Sequence, residues 1–200
     1  MIKNISNLGD AALYCDFGKE INKEINTNVI RFFKTIQKEN IEGINNLTPS
    51  YNKLIVSFDL KKTSFKDLKK KIENIEINEI NNFQSKVIKI PVCCEENFSL
   101  DINRLEEKLN TNREKIYEKF FNKEFFCYMT GFIAGMPFLG DLDKDMRVKR
   151  LETPRLKVPK GSVGLTEQFA NIYTYESPGG WNVIGNTPMN IFDSSKEIEP

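Results

Sequence analysis

The pattern of the chain changes at Phe125, and that change limits the folds open to it. Eight of the eleven glycines and six of the eight prolines lie beyond this residue, spaced every few positions between short β-prone runs. Glycine supplies turns and close backbone approach, while proline fixes corners and removes a ladder donor. Such a stretch cannot sustain helices, and it predicts a small barrel or sandwich of short strands. Before Phe125, apolar residues recur at helical spacing instead. Ile21, Ile25, Val29, Phe32 and Ile36 mark one amphipathic helix. Phe65, Leu68, Ile72 and Ile75 mark a second, opened by Ser64 and Asp67 in a capping-box-like start. Residues 11–17, 41–47 and 54–58 read as strands, and 86–92 as a final strand that either domain could own. Asp101 opens a short helix carrying Ile102, Leu105 and Leu109; Thr111 with Glu114 caps another, with Ile116 and Phe120 on its apolar face. The order predicts an α+β chain: an N-terminal ferredoxin-like or split α/β sandwich over 1–83, a linker at 78–85, and a β-barrel domain over 84–200.

Composition removes several function classes. With 29 basic and 28 acidic residues the net charge is +1, which gives no electrostatic reason to expect nucleic acid or an anionic membrane as partner. No apolar run approaches the roughly 20 residues of a spanning helix. The polar start, Met1 to Asp10, lacks the apolar core of a signal peptide, so a cytoplasmic protein is expected. There is no histidine, which excludes every Ser-His-Asp or Cys-His nucleophile arrangement. The cysteines, Cys15, Cys93, Cys94 and Cys127, form no CxxC pair and read as reduced, small apolar residues, with no structural zinc. Asp141, Asp143, Asp145 and Glu152 match the acidic positions of a calcium loop, yet Met146 stands where its sharp turn needs glycine. A GxxxxGK[ST] phosphate loop is absent, and neither a metal nor an organic cofactor is evident.

Three stretches carry the candidate chemistry: TGFIAGMPFLG at 130–140, TPR at 153–155 leading to VPKGSVG at 158–164, and SPGGWNVIGNTP at 177–188. Loops of this kind so close in sequence predict one shared pocket. The Arg155 guanidinium can grip a carboxylate or phosphate through two donors, or form a surface salt bridge. Ser162 can offer its hydroxyl or backbone N–H to an anion, or be a turn serine. Trp181, the single tryptophan, can wall a pocket or fill a core.

Together with GDAALYCDFG, TPSYNKLIVSFD and IPVCCEE, these stretches resemble the KipI/PxpB family from Gly9 to Asp193. That family comprises the B subunit of the ATP-dependent 5-oxoprolinase, also called allophanate hydrolase subunit 1, and includes a sporulation-kinase inhibitor. The resemblance implies a carboxyltransferase-type, cyclophilin-like second domain. It implies ATP in a complex with a C-subunit homologue and a third subunit, acting on a small cyclic or ureido amide such as 5-oxoproline. Their own chemistry makes Arg155 and Ser162 the expected catalytic groups, with Phe132, Pro137, Phe138, Gly161, Gly179, Gly180 and Trp181 expected around the substrate. Three features depart from the family pattern. Phe120 stands at a family histidine, Ala134-Gly135-Met136-Pro137-Phe138-Leu139 replaces PGFPYL, and EQFANIY at 167–173 replaces a GGxxTGIYP-like stretch. Apolar bulk replaces polar groups there, which leaves open a second class: a non-catalytic regulatory protein, such as a histidine-kinase inhibitor. Limited proteolysis should cut first within 78–85; cuts concentrated inside 128–193 would move the domain boundary.

Overall fold

Alternation of side chains across a pleated sheet organises the first of two units, Met1–Lys86. The computed structural model describes residues 2–76 and 86–195, so the linker expected at 78–85 lies outside the described residues. Strands β1 (Asn4–Asn7), β2 (Ala12–Asp16), β3 (Ile44–Pro49) and β4 (Lys53–Phe58) form an antiparallel sheet in the order β1-β2-β4-β3. Leu13 and Cys15 of β2 and Leu54, Val56 and Phe58 of β4 are buried, and the period of two puts each set on one face of its strand. Burial pushes the Cys15 thiol up to about 12, so it behaves as a small apolar residue. Onto this face pack α1 (Lys23–Glu39), through Val29, Phe32 and Ile36, and α2 (Phe65–Glu73), through Leu68 and Ile72. Asn22 caps α1 by accepting the Ile25 N–H at 2.9 Å, and Ser64 caps α2 by accepting the Asp67 N–H at 3.2 Å. Inside α1, Asn26 is buried because its Nδ2 donates to the carbonyls of Ser50 (3.2 Å) and Tyr51 (2.8 Å), fastening the helix to the turn between β3 and β4.

Two expectations are corrected here. Residues 86–92 form no strand; the place beside β2 belongs to β1, in register from Asn4↔Asp16 to Asn7↔Leu13. Val87 and Ile88 are two-thirds exposed, and Pro91 lacks the N–H a ladder requires. The third strand begins at Ile44, later than expected, and runs to Pro49.

The second unit, Val87–Pro200, is likewise α+β. Helices α3 (Ile102–Leu109) and α4 (Arg113–Phe121) precede β5 (Phe126–Thr130), β6 (Pro137–Gly140), β7 (Arg155–Val158), β8 (Ser162–Thr166), β9 (Phe169–Ile172), β10 (Ser177–Gly179) and β11 (Asn182–Asn186). Asn112, not Thr111, caps α4, since its side chain accepts the Lys115 N–H at 3.1 Å. The expected barrel is an open five-stranded antiparallel sheet, β11-β8-β9-β6-β5, beside a two-stranded ribbon, β10-β7. Among the described residues its outer strands β5 and β11 do not pair with each other, and β7 and β10 pair together without joining either edge. One face of the sheet, with Val163, Leu165, Ala170, Ile172 and Ile184, packs on Ile102, Leu105, Ile116 and Phe120 of the helices. A smaller cluster of Met136, Val158, Tyr173 and Val183, joined by Phe138, lines the other side. Among the described residues no helix is long and apolar enough to cross a membrane.

Leu54, fully buried, makes the first core testable. Leu54→Ala should lower the unfolding free energy by about 2–5 kcal/mol, and Leu60→Ala, at a 61 % exposed position, by no more than about 0.5 kcal/mol. Urea denaturation of both variants measures the difference.

Candidate functional site

Asp101 precedes α3 but does not cap it with its side chain. Its carboxylate turns the other way and accepts three hydrogen bonds: from Arg155 Nη2 (2.7 Å) and Nη1 (3.0 Å), and from the Val183 N–H (2.7 Å). The Asp101 side chain is 5 % exposed and that of Arg155 is 27 % exposed. A buried carboxylate is tolerable only when donors replace its water, and here β7 and β11 both supply them. The guanidinium fork of Arg155 is therefore engaged within the chain, by a buried carboxylate.

The ribbon side of the sheet gathers several of the other candidates. Trp181 is buried, and its ring meets that of Phe138 edge-on, 5.7 Å between centroids at 74°. The Arg150 guanidinium lies 5.8 Å from the Trp181 ring. Phe138 of β6 is in register with Asn171 of β9, Asn171 with Gly164 of β8, and Gly164 with Val183 of β11. This row brings a carboxamide beside the aromatic pair. A side chain on Gly164 would put its Cβ 2.6 Å from Asn171 Oδ1, 3.1 Å from Trp181 Cβ and 3.4 Å from Tyr173 Cε2, so these three groups pack onto the Gly164 backbone too closely for any other residue. Gly179 clears the Tyr173 hydroxyl in the same way, because a Cβ there would lie 2.2 Å from that oxygen.

Asn171 and Ser177 stand out for what they lack. Neither Nδ2 nor Oδ1 of the fully buried Asn171, nor the buried hydroxyl of Ser177, has a hydrogen-bond partner among the described residues. A buried polar group without a partner costs about 1–3 kcal/mol, so each needs an explanation. Burial raises the Tyr173 phenol above its ordinary value; Asn171 is close enough to oppose part of that rise, yet the two do not reach hydrogen-bond geometry. At neutral pH this tyrosine is a proton donor and not a base.

The remaining candidates fall elsewhere. Ser162 starts β8, 2 % exposed, with its N–H donating to the Pro159 carbonyl at 3.2 Å and its carbonyl accepting from the Tyr173 N–H at 2.9 Å. Gly161 (φ +84°) turns the chain into that strand, where a Cβ would strike the Thr187 carbonyl at 2.4 Å. Pro137 is buried in β6, Gly180 is buried near Pro154, and Phe132 is 71 % exposed. Sequence reasoning missed Asp101, Asn171, Tyr173 and Ser177. The one available signal was a polar residue, Asn171, between Ala170 and Ile172, both of which point to the opposite, helix-covered face.

A family model described as carboxyltransferase domain, subdomain C and D, matches residues 3–199. The chain belongs to this family, that of the KipI/PxpB proteins. It is 30 % identical over 200 residues to the 5-oxoprolinase B subunit of Bacillus subtilis strain 168, covering 94 % of this chain and 83 % of the relative. Against the 5-oxoprolinase B subunit of Haemophilus influenzae it is 30 % identical over 199 residues, covering 96 % of this chain and 90 % of the relative. The crystal structure of TTHA0988 shares the fold, with a TM-score of 0.82 at 24 % identity over 93 % of this chain. This chain spans only 36 % of that longer one.

Phe120, at the position read as a family histidine, is a core ring, 5.1 Å from Phe121 and 4.9 Å from Phe125 between centroids. The acidic run is also engaged: Asp143 pairs with Lys123 and Asp145 with Lys119, while Asp141 accepts from Tyr128 at 2.8 Å and Gln168 at 3.3 Å.

Arg155→Ala leaves Asp101 buried with a single donor and should cost about 3–5 kcal/mol of stability. The double variant with Asp101→Asn should lose less than the sum of the two single losses. Thermal unfolding of the four proteins measures this. Unchanged stability in Arg155→Ala, with loss of ligand binding, would return Arg155 to a substrate-gripping role.

Proposed function

We propose that this chain is the B subunit of a 5-oxoprolinase-type assembly, which opens 5-oxoproline or a related cyclic or ureido amide at the expense of ATP. The observation that carries this reading is the 30 % identity to two 5-oxoprolinase B subunits over 94 % and 96 % of the chain. A C-subunit homologue and a third subunit complete the assembly. The longer TTHA0988 chain, in which the same fold is little more than a third of the length, supports a partner beside this fold. A ferredoxin-like first unit, a cyclophilin-like second unit and a cytoplasmic location go with the same reading.

The chain's own groups suit binding better than bond breaking. It contains no histidine, the Arg155–Asp101 pair positions β7 against β11, and Tyr173 is held protonated by burial. An amide is a poor electrophile, and ATP makes its oxygen a leaving group before water opens the ring. The nucleotide and general base then belong to surfaces shared with the partners. The filling of the family histidine position by the buried Phe120 favours the second reading, a regulatory protein of the same fold.

The purified chain alone should release no measurable ADP from ATP. Mixed with the C-subunit homologue and the third subunit from the same genome, it should support glutamate release from 5-oxoproline. If the wild-type chain neither binds a C-subunit homologue nor supports turnover, the regulatory reading replaces the enzymatic one.

A further inference from the structure

Among the described residues of the second unit, Asn171 and Ser177 hold the buried side-chain polar atoms without hydrogen-bond partners, and Asn171 carries both a donor and an acceptor. The side chain is fully buried and both its donor and its acceptor lack partners among the described residues. Its Oδ1 packs so closely on the backbone of Gly164 that a Cβ there would lie 2.6 Å away. Leucine has nearly the same shape and would fill the position without the cost of an unpaired amide.

We propose that Asn171 is the recognition group of a binding site for a cis-amide, a small lactam or ureide whose N–H and C=O point the same way. A carboxamide carries a donor and an acceptor side by side, so Nδ2 donates to the ligand carbonyl while Oδ1 accepts the ligand N–H. A trans-amide presents these groups on opposite edges and cannot make both bonds. Trp181 supplies an apolar face for a flat ring, and the unpartnered Ser177 hydroxyl lies on the ribbon, opposite Val158, which packs in the same cluster as Tyr173. Phe138 is the cover. It is next to Asn171 in register, only half-buried, and its rotation away from Trp181 uncovers the amide. The choice of a lactam among cis-amides rests on the proposed function; the hydrogen-bond complementarity does not.

The test is calorimetric titration of the full chain with 5-oxoproline, 2-pyrrolidone and N-methyl-2-pyrrolidone, repeated on Asn171→Leu. The wild type should bind the first two, and N-methylation, which removes the donor, should weaken binding about tenfold or more, since a site built for hydrogen bonds rejects analogues that lack them. Asn171→Leu should lose the same preference while its Tm rises. The proposal is overturned if the wild type binds no lactam, or if the leucine variant still prefers 2-pyrrolidone to its N-methyl analogue. Should that variant fail to fold, the N-methyl comparison on wild type decides. Glutamate release by the complex without Asn171-dependent lactam binding would sink this site and leave the proposed function standing. Asn171-dependent binding without turnover would do the reverse.

Discussion

One carboxylate ties together the parts of the second unit that the family motifs occupy. Asp101, at the mouth of α3, receives the two-pronged guanidinium of Arg155 from β7 and the backbone N–H of Val183 from β11. Three donors to one buried anion fix its position far better than apolar contact could, because hydrogen bonds are directional and packing is not. The ribbon therefore has a defined seat over the sheet, and Trp181 and Tyr173 are held beneath it. Because either partner left alone would be a buried, unmatched charge, the pair is more a condition for the arrangement than a surplus of stability.

The helices and inner strands were legible in the sequence because their signal is local. Ser64 and Asp67 marked the start of α2, and the apolar residues of α1 kept their spacing from Val29 to Ile36. Strands β2 and β4 alternate visibly because each buries one face. Edge strand β1 was not legible: of its four residues only Ile5 is buried, so hydropathy has nothing periodic to report. Asp101 and Arg155 stand 54 residues apart, and no local pattern links them. Arg155, Trp181 and the glycines were visible as unusual residues, but whether each faces a ligand or another part of the chain depends on contacts that exist only after folding.

The polar inventory of the site is accordingly divided. Groups the chain needs for itself, such as Asp101, Arg155 and Asp141, are satisfied within it. Asn171 and Ser177 are not. Phe120 lies in the aromatic contact with Phe125 and in the apolar layer beneath the sheet. A buried phenyl ring adds to this core and can transfer no proton at that point.

The origin of β1 bears on how the chain is born. In the split-sandwich topology the outer strand beside β2 usually arrives last, after the second helix, so the sheet stays incomplete until that segment emerges. Here the edge is supplied by the N-terminal hairpin, and the four strands are all in hand by Phe58. The pairing of β1 with β2 spans few residues, so the loop to be closed is short and its entropic cost is low. During synthesis from the N-terminus, the first unit can thus finish its sheet while the glycine- and proline-rich half, with its slower long-range pairings, has yet to leave the ribosome.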